Sequence, residues 1–221
     1  MTADLRYFVD GLLLVLAALL PIVNPFGGAP VFLAMTADVT PHVRAELARR
    51  IAINAFILLV VSLFVGTYVL DFFGLSVPTV QVAGGIVVCA AAWELLRAER
   101  VLVEMDAEPT DIATRAFYPL TLPLTVGPGT ISVAITIGAH HTHSVRSVLL
   151  EGAADVLGAI IIAATVFACY RYADPLLKKL GETGTSVLVR LSAFILLCVG
   201  VQIFWTGAST LLAAIPTGAT R

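Results

Sequence analysis

The sequence predicts an all-α polytopic membrane protein. Six transmembrane helices are expected, arranged as two inverted three-helix repeats in which helices one and four are interrupted. Three observations carry this expectation. Apolar residues make up 59% of the chain and charged residues only 13%, with a mean hydropathy of +0.97. Six stretches approach or exceed the roughly 20 apolar residues that a helix needs to cross hydrocarbon. Two of those stretches carry Pro–Gly clusters at matched places, roughly 100 positions apart.

A soluble domain averages about 45–50% apolar and about 25% charged residues. A chain with this composition lacks the polar groups to cover a water-facing surface, and lipid as solvent removes that need. The net charge of -2 offers no basic face to nucleic acid. Cys89, Cys169 and Cys198 fall in apolar runs without CxxC or metal-ligand spacing, and read as small packing residues. There is no Walker-type phosphate loop or cofactor fingerprint, so neither ATP drive within this chain nor a bound cofactor is expected.

The first span covers 7–35. Its start imitates a secretory signal, with Arg6 before an apolar run, but Asp4 and Asp10 spoil the basic n-region. The run also continues past Pro21 to Leu33, so it reads as a retained span. The second covers 51–70 and the third 77–96, with Trp93 as an interfacial anchor. The fourth covers 117–139, the fifth 148–172 and the sixth 186–212, with Trp205 near its far end. All belong to one transmembrane domain over 1–221, with repeat one at 7–98 and repeat two at 116–213. Between the first two spans, Thr40-Pro41 reads as an N-cap followed by proline at the first helical position, opening a small amphipathic turn.

Lys and Arg fix the expected orientation. Loops after spans one, three and five hold Arg44, Arg49, Arg50, Arg97, Arg100, Arg115, Arg171, Lys178 and Lys179. The other side holds Arg6, Arg146 and Arg221. Nine against three places the first set in the cytoplasm and both termini outside.

The first cluster is Leu20-Pro21-Ile22-Val23-Asn24-Pro25-Phe26-Gly27-Gly28, and the second is Leu122-Pro123-Leu124-Thr125-Val126-Gly127-Pro128-Gly129-Thr130. Gln81 in span three and Arg190 in span six form a weaker matched pair, each a polar residue between aliphatics and followed by small residues. Two halves of three spans each must face opposite ways across the bilayer, the inverted repeat of many secondary transporters. Proline inside a helix removes a hydrogen bond and clashes with the preceding turn. In a bilayer such a break is tolerated only inside protein or beside a wet cavity. Two mid-depth breaks therefore predict two half-helix N-termini facing an anionic group, with freed carbonyls for a cation. A zwitterion of amino-acid size fits both ends. The alternative is a pair of kinks that only shape packing.

Candidate solute-binding residues are Asn24, Pro25, Gly27, Thr125, Gly127, Pro128, Gly129, Thr130, Ser132, Gln81 and Arg190. For the hydroxyls the competing role is hydrogen bonding back to helix carbonyls. For Arg190 it is snorkelling to the interface. Glu151 and Asp155 share one face of span five at i, i+4. An intramembrane carboxylate is a candidate for coupling to protons or sodium, or else half of an ion pair with Arg190 or Arg146. His140, His141 and His143 read as a solvated loop, with metal binding or pH sensing as the alternative.

These residues resemble the MarC family of integral membrane proteins. The likeness lies in Asn24-Pro25-Phe26-Gly27 with Pro30-Val31-Phe32-Leu33 and Thr36. It continues in Phe117-Tyr118-Pro119-Leu120-Thr121-Leu122-Pro123-Leu124 with Gly127-Pro128-Gly129-Thr130-Ile131-Ser132, in Gln81-Val82-Ala83-Gly84-Gly85, and in Arg190. Where the family often carries Arg, this chain has Gln81; it also has Ser192-Ala193 in place of Met-Gly or Leu-Gly. The resemblance implies an inner-membrane carrier of glycine- or alanine-sized neutral amino acids, coupled to an ion. The competing classes are a non-transporting assembly protein, which does not account for two matched breaks, and a membrane-embedded enzyme. The spans carry no HExxH, GxSxG or paired-Asp motif to support the enzyme.

Overall fold

The computed structural model describes residues 3–97, 111–140 and 145–214, and the ordered elements among them are all helical. In chain order these are α1 (Ala3–Val23), α2 (Pro25–Met35), α3 (Pro41–Phe73), α4 (Val77–Arg97) and α5 (Ile112–Arg115). A wide-turned segment, Ala116–Thr125, follows, and then α6 (Pro128–Ala139), α7 (Val145–Arg171) and α8 (Ala173–Ala213). The acidic loop after span three, with Arg100, and the loop histidines His141 and His143 lie outside the described residues.

Five helical units are long and apolar enough to span: Asp4–Met35, Pro41–Phe73, Val77–Arg97, Leu149–Arg171 and Ala173–Ala213. Ile112–Thr125 and Pro128–Ala139 make a sixth span only when counted as one, because they meet at a 70° bend. The expected six thus resolves into five spans and one bent pair. Two boundaries also differ from the sequence expectation. The amphipathic turn after Thr40 is continuous with the second span, and α8 begins at Ala173 and is broken at Gly181, where φ is +69°. Thr40 does cap α3: its hydroxyl accepts from Val43 N at 3.5 Å, and Pro41 takes the first helical position.

The main core joins α1, α2, α3, the 116–125 segment, α6 and α7, through Val15, Leu19, Phe32, Leu59, Leu120 and Tyr170 among others. A smaller core around Ile22, Val88, Ala92 and Leu196 seats α4 and α8 beside it. Neighbours follow a regular pattern. α1 packs on α7 and the 116–125 segment on α3; α2 packs on α8 and α6 on α4; α3 packs on α7 and α4 on α8. Large apolar side chains such as Leu13, Ile57, Phe72, Ile86 and Phe194 stand on the outside, as lipid-facing residues do.

Glycine sets the helix spacing. A Cβ on Gly85 would lie 2.5 Å from Phe204 N, and one on Gly207 would lie 2.5 Å from Pro78 O, so α4 and α8 touch backbone to backbone. A Cβ on Gly138 would run into the Leu63 carbonyl of α3. Lipid gives apolar helices no hydrophobic reason to associate, so such close packing is a main source of cohesion.

Two arginines close the face that carries most of the basic residues. Arg44 Nη2 donates to Thr36 O at 2.7 Å, and its Nε donates to Thr36 Oγ1 at 3.1 Å. Arg115 donates through both terminal nitrogens to Asp38, each at 2.7 Å, and also to the Met35 carbonyl. Both guanidinium groups lie at the C-terminus of α2, where cations suit the helix dipole. The Arg115 hydrogen bonds hold the Asp38 carboxyl below its usual range.

Two outcomes are expected. Gly138→Ala forces α6 off the α3 backbone and lowers the thermal stability of detergent-solubilised protein by about 1–3 kcal/mol. Gly152→Ala, whose new Cβ would meet only Phe64 at 3.4–3.6 Å, leaves it nearly unchanged. Because Asp38 has a depressed folded pKa, its contribution is present above the unfolded carboxylate value of about 4 and lost as pH falls through the lower folded value. Asp38→Asn should therefore lower stability at pH 7 and flatten the loss seen below about pH 4.

Candidate functional site

The two Pro–Gly clusters produce two unlike breaks. In the first, a single residue leaves the helix: Asn24 takes the left-handed conformation, φ 46° and ψ 55°. Asn is among the few non-glycine residues that tolerate this region. Its Oδ1 accepts from Gly27 N at 3.1 Å, so it caps α2, and Pro25 follows at the first helical position. Gly27 has to be glycine, because a Cβ there would overlap the Asn24 side chain.

The second break spreads over ten residues and then bends. Tyr118 and Leu122 are extended, with ψ near 126° and 125°. Each precedes a proline, whose ring disfavours the α region for the residue before it. The backbone between them winds widely, so that Val126 N donates to Thr121 O, five residues back. Hydroxyls take up further carbonyls: Thr121 Oγ1 donates to Ala116 O and Thr125 Oγ1 to Leu120 O, both at 2.7 Å. Asn54 of α3 reaches Thr121 Oγ1 at 3.4 Å. Gly127 then starts α6 without a side-chain cap, and Pro128 follows it.

Tyr170 of α7 joins the two breaks. It is fully buried. Its ring stacks on Phe32 of α2, with centroids 4.6 Å apart and planes 9° from parallel. Its hydroxyl lies 3.0 Å from Thr125 Oγ1. A hydroxyl has one proton, and that of Thr125 goes to Leu120 O, so Tyr170 is the donor to Thr125. The same hydroxyl lies 2.7 Å from where a Cβ on Gly28 would sit. One oxygen thus touches both interrupted segments. The sequence does not single out Tyr170, because it stands one residue before Arg171 and reads as the end of a span.

The remaining predicted residues are placed as follows. Pro25, Gly27, Thr125, Gly129, Thr130 and Ser132 are buried, and Asn24 and Gly127 are partly buried. Pro128 is exposed. Ser132 Oγ donates to Gly129 O at 2.8 Å, so it bonds back to its own helix, as Thr125 does. Gly129 and Ser132 both meet Gly84 of α4, where a larger residue would overlap. Gln81 is buried and reaches Thr136 Oγ1 at 3.3 Å. It meets α6 two turns beyond the break rather than at it.

Of the two roles open to Arg190, its exposure agrees with an interfacial position. It is exposed on α8 and makes no hydrogen bond or ion pair with any described residue. The buried stripe of α8 runs through Val189, Ala193, Leu196, Gly200 and Gly207, and Arg190 falls off it. Gln81 and Arg190 therefore do not form an equivalent pair. Asp155 is 2% exposed, the one charged side chain buried among the described residues, while Glu151 one turn earlier is half-buried. Asp155 lies fifteen residues before Tyr170 in the continuous helix α7, about 22 Å along its axis. Its neighbour Ala154 faces Gly11, well short of Asn24 on α1. The two carboxylates and the two breaks thus occupy different levels of the molecule.

The contact between Gly28 and Tyr170 gives a paired expectation. Gly28→Ala should lower thermal stability by about 1–3 kcal/mol, since the new methyl meets the hydroxyl. Adding Tyr170→Phe removes that oxygen and leaves ring contacts of 3.5 Å, so the double variant should recover most of the loss. Thermal unfolding of the two single variants and the double variant measures both effects.

Comparison with known proteins agrees with this architecture. The family model described as MarC family integral membrane protein matches residues 9–212. A UPF0056 membrane protein, YvbG, of Bacillus subtilis is 31% identical over 198 residues, which is 87% of this chain and 92% of the relative. The UPF0056 inner membrane protein MarC of Salmonella typhimurium is 28% identical over 204 residues, covering 87% and 91%. A UPF0056 membrane protein of Archaeoglobus fulgidus is 29% identical over 189 residues, covering 84% and 86%. No solved structure matches the chain. With its multi-pass helical fold and a family model spanning nearly its whole length, the chain belongs to the MarC family of integral membrane proteins.

Proposed function

We propose that the chain is a secondary transporter of small neutral amino acids, of glycine or alanine size, working by alternating access around its two broken helices. The observation that carries this reading is that one buried hydroxyl, that of Tyr170, bonds Thr125 just before the Gly127 bend and lies against Gly28, one turn into the helix that the Asn24 break opens. Unwound backbone inside a bilayer needs polar company, and the 116–125 segment has it in Asn54, Tyr170 and its own threonines. The N-terminus of α6 has no side-chain cap, which suits a carboxylate. Carbonyls and hydroxyls of the 116–125 segment suit an ammonium group. Close packing at Gly27, Gly28, Gly84 and Gly129, where the neighbours leave no room for a Cβ, supports a small solute.

The packing supports two inverted halves. Exchanging the first three spans with the last three turns the α1–α7 contact into that of the 116–125 segment with α3, and the α2–α8 contact into α6–α4. The contacts α3–α7 and α4–α8 map onto themselves. The name of the Salmonella relative supports a cytoplasmic (inner) membrane. The excess of Lys and Arg beside α2, α5 and the start of α8 supports a cytoplasmic basic face with both termini outside. Coupling to protons or sodium is assigned to Asp155, with Glu151 as its neighbour. Because Asp155 lies far from the breaks along α7, it would act on the path toward the other face rather than touch the solute. Arg190 is left out of the site because it is exposed.

Proteoliposomes containing only this chain should exchange external labelled glycine or alanine against internal unlabelled solute. Asn24→Ala should cut that exchange roughly tenfold or more by disordering the first break, while the protein still reconstitutes. Absence of counterflow with any small neutral amino acid would favour an assembly role instead.

A further inference from the structure

We propose that Tyr170 is the inner gate of the solute path on the basic face, held shut by its stack on Phe32 and its hydrogen bond to Thr125. The proposal rests on the transporter reading and adds the element that opens. Phe32 stands seven residues beyond Pro25 on α2, about 10 Å from the first break toward the basic face. The stacked rings therefore lie between the Asn24 break and the closure made by Arg115, Asp38, Arg44 and Thr36, while the Tyr170 hydroxyl reaches Thr125 beside the bend. Both rings are fully buried, so a solute leaving the breaks toward that face meets a sealed layer.

The layer also joins elements from both ends of the chain. Phe32 belongs to the first half of the chain and Tyr170 to the second, so their stack crosses between halves. The hydroxyl fits because Gly28 presents bare backbone to it. Its acceptor, Thr125, stands three residues before Pro128, so occupation of the N-terminus of α6 acts within one turn of the gate. A shift of α2 relative to α7 loses the stack, and a shift of the 116–125 segment relative to α7 loses the hydrogen bond.

Cys169 reports on this layer. It is buried in the same core as Phe32 and Tyr170. With Cys89→Ala and Cys198→Ala leaving it as the single thiol, its rate of N-ethylmaleimide labelling in proteoliposomes reads how often the layer opens. Tyr170→Phe should speed labelling about three- to tenfold, the population shift of one neutral hydrogen bond. Thr125→Val should act similarly, and the double variant should add little to either. A separate probe, Ala92→Cys in the second core with Cys169→Ala, should keep its rate in the Tyr170→Phe background, which excludes general loosening. Unchanged Cys169 labelling in both single variants, additive effects, or an equal rise at the second probe would overturn the gate. No solute is needed for these measurements, so they stand or fall separately from counterflow. If the wild-type chain fails to exchange solute while labelling behaves as described, the transporter reading fails and the opening layer remains.

Discussion

A backbone group that leaves its helix inside a bilayer must find a partner in the protein, and this requirement organises the centre of the molecule. Pro119 and Pro123 supply no N–H, and each drives the residue before it into extended geometry. The carbonyls of Ala116 and Leu120 are then taken by the hydroxyls of Thr121 and Thr125. Thr125 in turn receives the Tyr170 hydroxyl, and Tyr170 is held against Phe32 and the bare backbone of Gly28. Packing in the first half thus depends on a hydrogen-bonding problem set by prolines in the second.

The two breaks solve that problem differently. Asn24 closes its break with its own side chain, capping α2 within three residues. Gly127 has no side chain to offer, so α6 starts open after a 70° bend. A helix N-terminus without an internal acceptor is the better place for a carboxylate from outside. The two breaks thus differ in kind, one a firm edge capped by its own side chain and the other an open helix end.

Much of this was legible in the sequence, for identifiable reasons. Spans follow from apolar length, and α4 at 77–97 lies within one residue of its expected bounds. Thr40-Pro41 marks a cap by local chemistry alone. The places of the breaks follow from proline and glycine, but not their shapes: one Asn in the left-handed region and a ten-residue wide turn arise from similar motifs. Tyr170 was hidden because a tyrosine before Arg171 has the same sequence signature as an interfacial anchor, and only tertiary packing buries it. Arg190 was ambiguous because its place depends on the rotation of α8, which is set by Val189 and Ala193. Asp155 was legible as a deep carboxylate, but its level relative to the breaks required the register of α7 against α1.

The central claim is that the non-helical backbone near Gly127 lines a polar chamber that a solute enters. Hydrogen–deuterium exchange of peptides covering 20–30 and 121–132, with and without glycine or alanine, tests it most directly. The account predicts measurable exchange at the first amides of α6 in the free protein, and protection there when the solute is added, with peptides from the middle of α3 unaffected. Amides at 127–131 as slow as those of α3, and unchanged by any small neutral amino acid, would contradict it.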